Sequence, residues 1–187
     1  MTHFPIHTID TAPEKSKPAL QNLQAAFGLI PNAAAAMSSS PVLINSFVGL
    51  FQQVHDGSFT EPQLQILLLT NAVTNASSWA VAFHSFLALQ QGIGADDVER
   101  IRQGGAPKDP KHAALSKLAK TLIEKRGRLA EADLAAFTAA GFTRELALEV
   151  ISVVAASTMA NYAVSVAQPP LEAAFQPHRW VKEEGHA

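Results

Sequence analysis

Thr60 to Gln91 reads TEPQLQILLLTNAVTNASSWAVAFHSFLALQQ, and this stretch decides the fold. It divides into two apolar segments of helical length, joined at Asn75-Ala76-Ser77 and closed by Gly92. Thr60-Glu61-Pro62-Gln63 has the pattern of a capping box with proline inside the first turn, which predicts a helix running to Thr74-Asn75. Ser77 or Ser78 can cap the second helix, which runs to Gln91. Two apolar helices joined so tightly belong at the centre of the domain. His84 is the one strongly functional-looking side chain in that segment.

Working outward toward the N-terminus, Pro41-Val42-Leu43 opens a helix whose apolar face comprises Val42, Leu43, Phe47, Leu50, Phe51 and Val54. A short alanine helix over 33–38 precedes it, after Pro31-Asn32. Leu20, Leu23 and Phe27 recur at helical spacing, and Gly28 ends that helix as a left-handed cap. Thr11-Ala12-Pro13-Glu14 matches a further capping box, although Pro18 allows the helix to begin only after Ser16. Residues 1–10 read as an extended arm.

Beyond Gly92, a short helix over 96–102 closes at Gly104-Gly105, and Asp109-Pro110 opens a longer one. That longer helix turns Leu115, Leu118 and Leu122 inward and its lysines outward. A short helix over 130–139 ends at Gly141, and Thr143 caps a last long helix over 144–167. Leu146, Leu148, Val150, Ile151, Val154, Met159 and Tyr162 make that helix apolar on most sides, which suggests burial against a second subunit. The one apolar run of strand-like composition, Ile66 to Leu69, lies inside a capped helix. The expectation from these signals is an all-α fold.

Composition narrows the function classes. The 187 residues carry a formal charge of −2 and no cysteine. Cysteine chemistry of every kind is thereby excluded: disulfides, thiolate metal sites, iron–sulfur clusters and dithiol redox cycling. Neither nucleic acid nor an anionic membrane has an electrostatic partner here, because Lys111, Lys117, Lys120, Lys125, Arg126 and Arg128 are interleaved with apolar positions. The N-terminal stretch has no basic segment followed by an apolar run, and the apolar runs are broken before the ~20 residues a bilayer requires. A soluble, cytoplasmic protein is expected.

Helical spacing stacks Ser77, Ala80, Val81 and His84 on one side of the second central helix. If the two helices fold back on each other, Gln65 approaches that side. His84 is then either a proton-transferring histidine or a buried one satisfied by a carbonyl or by Gln65. Ser77 and His84 lie two turns apart, about 10 Å of helical rise, too far for a nucleophile–base pair. Ala80, Val81, Leu87 and Ala88 occupy the positions where a helical metal ligand would partner His84, so no metal site is expected. His55, beside Gly57, reads as solvent-facing, and His112, His178 and His186 read as surface or tail. Trp79 either walls a pocket or plugs an interface.

The layout resembles the carboxymuconolactone decarboxylase and alkyl hydroperoxidase D-like family. The resemblance rests on Ala12-Pro13-Glu14-Lys15, Phe27 to Asn32, Ser40-Pro41, and above all Thr60 through Asn75-Ala76-Ser77-Ser78-Trp79-Ala80 to His84-Ser85. It implies an all-α orthogonal helical bundle of about eight to ten helices, with residues 1–58 as an arm and helices packed on a core over 59–187. It also implies a homo-oligomer: dimer, trimer or hexamer. In redox-active members the signature is a glutamate, a Cys-x-x-Cys and a histidine four residues later. Those positions fall on Gln65, Ser77, Ala80 and His84, with the intervening relay residue on Trp79; only the histidine survives. Near Asn161-Tyr162, longer members continue with an Asn-His pair where this chain has Val164 and Ser165.

A peroxide-reducing cycle needs one thiolate to attack and a second thiol to resolve the sulfenic acid, which serine and alanine cannot do. Thiol peroxidase activity is therefore expected to be absent. Two functions remain: a non-redox or ligand-binding homologue, or a divergent, cofactor-independent enzyme of lactone decarboxylase type. The second would use His84 for proton transfer with Gln65 and Ser77 as orienting groups. The resemblance implies no cofactor, and a small molecule is the expected ligand.

Overall fold

A computed structural model describes residues 4–182, which form nine α-helices and two short 3-10 helices. The α-helices are α1 (Lys17–Phe27), α2 (Asn32–Met37), α3 (Pro41–His55), α4 (Glu61–Thr74), α5 (Ser78–Gln90), α6 (Ala95–Arg102), α7 (Pro110–Glu124), α8 (Glu131–Ala139) and α9 (Arg144–Ala167). Short 3-10 turns cover Glu14–Ser16 and Ala173–His178, and no strand occurs among the described residues. The all-α fold expected from the helical periodicities is the one observed.

The central element is α4. Every residue from Leu64 to Ala72 is buried, so the helix is enclosed on all sides by α5, α7 and α9. Its start follows the sequence signal, with Gln63 Oε1 accepting the Thr60 N–H at 3.0 Å. Its polar residues are paired: Thr70 donates to Ser116 on α7 at 2.9 Å, and Asn71 Oδ1 accepts from Asn75 and from Asn161 on α9, each at 2.7 Å. Such bonds cost little when satisfied and disfavour any slip of α4 against its neighbours.

The turn into α5 is tight because Ala76 adopts a left-handed φ of 54°, which lets the Ser77 N–H reach the Ala72 carbonyl at 2.9 Å. A larger core of Leu64, Leu67, Leu69, Leu115, Val150 and their neighbours surrounds this hairpin. The N-terminal helices form a second cluster around Leu20, Leu23, Ala34, Met37, Ile44 and Val48.

Two local expectations are corrected. Thr11 does not cap a helix: it bonds Thr8, and α1 begins at Lys17, after the 3-10 turn. The start after Ser16 is the one Pro18 allows, and the Ser16 hydroxyl, instead of capping, donates to the Ser38 carbonyl at 2.7 Å. The last helix, apolar on most sides, is covered within the chain along one side only. Ala147, Val150, Val153, Ala156, Ser157, Asn161 and Val164 face the core, while Leu148, Ile151, Tyr162 and Val166 are exposed. By length and composition α9 could cross a bilayer, contrary to the reading that every apolar run is too short. One flank of α9 is nevertheless part of the core, tied to α4 by the Asn161–Asn71 bond.

Candidate functional site

The α4–α5 hairpin folds back as its short joint requires, and this brings Gln65 and His84 together. His84 Nδ1 lies 3.0 Å from Gln65 Oε1. A carbonyl oxygen only accepts, so Nδ1 carries the proton and Nε2 keeps its lone pair. Burial, and secondarily the neighbouring His55, push the His84 pKa down to about 3, so the ring is neutral at physiological pH. The ring is not sealed off. It is half-buried and lines an open cavity of about 480 Å³ whose walls include Phe27, Phe51, Leu68, Phe83, Phe86 and Phe175. Behind it lies an inner cavity of about 60 Å³ that also borders Trp79, Ala80, Met37 and Ser157.

The candidates divide accordingly. Gln65 and His84 share the open cavity, and Trp79 and Ala80 join His84 at the inner one. Ser77 lines neither. It is the N-terminal cap position of α5, buried, and its hydroxyl has no hydrogen-bond partner among the described residues. Trp79 serves both as wall and as plug: it stacks on Phe83 with ring centroids 5.1 Å apart, and its indole N–H donates to Glu172 at 3.0 Å. The other oxygen of Glu172 accepts the Asn32 N–H at 2.6 Å, so one carboxylate ties the C-terminal segment to α2 and α5.

His55 was misread as solvent-facing. It is half-buried, lines both cavities, and packs on Phe51 with centroids 4.0 Å apart. Its Nδ1 donates to the Phe51 carbonyl at 2.9 Å, and its Nε2 stands 3.9 Å from Glu61 Oε1. The available signal was the spacing of Phe47, Phe51 and His55, which continues the aromatic face of α3 for one more turn. Glu61 enters from the first turn of α4, because the chain reverses between the two helices over 56–60.

A larger, more polar cleft of about 650 Å³ lies between α4, α6, α7 and the C-terminal segment, and none of the candidate residues lines it. Among the described residues, no group of three or more His, Asp or Glu is placed to hold a metal ion. The chemistry available at His84 is thus a neutral imidazole oriented by an amide, beside a second imidazole and a carboxylate, in an aromatic chamber.

No protein-family model matches the chain, and no curated protein sequence does. Solved structures do. The chain superposes on an alkylhydroperoxidase AhpD core, an uncharacterised peroxidase-related protein from Ralstonia eutropha JMP134, with a TM-score of 0.81 at 17% identity over 92% of this chain and 93% of that one. A peroxidase-related protein from Silicibacter sp. TM1040 gives 0.75 at 16% identity, over 92% and 91%. A cysteine-to-alanine variant of the debrominase Bmp8, in complex with 2,3,4-tribromopyrrole, gives 0.77 at 15% identity over 95% of both chains. The chain has the alkylhydroperoxidase D-like fold, and it has that fold without a single cysteine.

Proposed function

We propose that this chain is a cytoplasmic, self-associating, non-redox representative of the alkylhydroperoxidase D-like fold whose aromatic chamber binds a small molecule against His84. The observation that carries the reading is the pairing of His84 with Gln65 inside an open cavity of about 480 Å³. A site of that size, mostly apolar with a few convergent polar groups, has the make-up of a small-molecule pocket. Bound tribromopyrrole in the Bmp8 complex gives a precedent for a small aromatic ligand on this fold. The test of the non-redox part is a peroxide-consumption assay with hydrogen peroxide or an alkyl hydroperoxide and dithiothreitol. No turnover above the protein-free rate is expected; robust dithiol-dependent turnover would refute it.

A second reading is a divergent, cofactor-independent enzyme of lactone decarboxylase type. It draws support from the bond of His84 to a side chain rather than to a main-chain carbonyl, which leaves Nε2 free for a substrate. Against it stands the ring's pKa of about 3, far from the near-neutral value that suits a general base. A single experiment separates the two: exchange of a bound ligand's acidic C–H for deuterium, in wild type and in His84→Ala. Exchange that depends on His84 would favour the enzyme, and binding without exchange favours the ligand-binding protein.

A further inference from the structure

The His84 chamber has a polarity that its apolar walls obscure. Its titratable groups are His55, Glu61 and His84, and no lysine or arginine lines it. With the Nδ1 protons of both histidines committed to Gln65 and to the Phe51 carbonyl, each ring offers an Nε2 lone pair in its neutral form. Glu61 adds a half-exposed carboxylate 3.9 Å from His55 Nε2. Glu61 is the one carboxylate of the chamber, and the neutral amides of Gln65, Gln90 and Gln91 complete its polar lining. Around them stand the rings of Phe27, Phe51, Phe83, Phe86 and Phe175, whose faces are electron-rich.

From this arrangement we infer that the chamber selects an organic ammonium: a small amine with an apolar or aromatic body. The inference rests on the reading of this pocket as a small-molecule site. A protonated amine supplies donors to Glu61 and to the two imidazoles, and its charge is favoured near aromatic faces. A carboxylate ligand meets the opposite conditions. It would face Glu61 with no lysine or arginine to pair with, only neutral amides, and a charge so placed is poorly compensated. A neutral hydroxyl compound of the same shape keeps the apolar contacts and one donor but loses the attraction to Glu61.

Three probes of matched shape test this: 2-phenylethylamine, 2-phenylethanol and phenylacetate, titrated calorimetrically into the full chain at neutral pH. The amine is expected to bind most tightly and phenylacetate least. Glu61→Gln is expected to weaken the amine by about fivefold, the range of a half-exposed ion pair, and to leave the alcohol unchanged. Unchanged alcohol binding also shows that the variant is folded. If the alcohol or phenylacetate binds as tightly as the amine, or Glu61→Gln weakens all three alike, the charge preference is overturned while the pocket reading stands. If none of the three binds, both fall.

Discussion

His84 and Gln65, 19 residues apart, meet at 3.0 Å because the α4–α5 turn is short enough to lay the two helices against each other. Burial first, and His55 second, hold the ring neutral, and residue 65 orients it. An amide acceptor orients the imidazole without favouring its protonated form, so desolvation dominates. Gln65→Glu would place a carboxylate at the same contact. The His84 pKa is expected to rise by about one to three units, the usual effect of an adjacent opposite charge. An NMR titration of the His84 ring in the two proteins checks this, and an unmoved midpoint would contradict the assigned pair. Gln65→Glu is not expected to create peroxide turnover, because no thiolate accompanies it.

The depressed pKa also makes stability depend on pH, with a definite sign. The unfolded ring titrates near 6.5 and the folded ring near 3. Between those values the unfolded state binds the extra proton, so the contribution of His84 is complete above pH 6.5 and is lost as the pH falls toward 3. The slope from this one group is at most about 1.4 kcal/mol per pH unit. Other carboxylates titrate in the lower part of the range, so the readout is a difference. Wild-type unfolding free energy minus that of His84→Gln should decrease as the pH is lowered from 7 to 4.5. A difference that stays flat would show that His84 does not remain neutral in the folded protein.

Ala76 carries the strain of the same joint. A φ of 54° is a left-handed conformation in which a Cβ crowds the following carbonyl, at about 1–2 kcal/mol. Glycine removes the clash but adds unfolded-state freedom worth about 0.5–1 kcal/mol. Ala76→Gly is therefore expected to stabilise the chain by about 0.5–1 kcal/mol, measured by urea unfolding. A loss of stability would mean that the turn tolerates alanine without strain.

The helices were legible because their signals are local. Thr60 to Gln63, Ser40-Pro41, Asp109-Pro110 and Gly28 each start or stop a helix through contacts within four residues. The Gln65–His84 contact was legible for a related reason: a tight joint between two long apolar helices allows few other registers. His55 was legible only in part: its spacing from Phe47 and Phe51 marks the aromatic face of α3, but its approach to Glu61 depends on how residues 56–60 turn. Glu172 was hidden for the same reason, since it acts across 140 residues on Asn32 and 93 on Trp79. Ser77 failed in the opposite way. The helical wheel put it on the His84 side, but a residue capping the first turn lies beneath that turn, where its hydroxyl is buried.

The outer face of α9 leads to the last expectation. Leu148 is 67% exposed, Ile151 47%, Tyr162 63% and Val166 70%, and together they stripe one side of a helix whose other side is core. Between them lie Ser152, Ala155 and Met159, so from Leu148 to Val166 the stripe carries no charged residue. Monomeric proteins rarely leave so long an apolar face to water, and a two-fold pairing of identical helices would bury it on both copies at once. The small residues at its middle would let the two backbones approach closely. Light scattering at micromolar concentration is expected to give a mass of at least twice the 19.9 kDa chain. Ile151→Asp is expected to shift that mass toward one chain while leaving the helical circular dichroism intact, because the side chain faces away from the core. A wild-type mass of one chain would refute the association outright. A dimer unmoved by Ile151→Asp would place the interface elsewhere on the molecule.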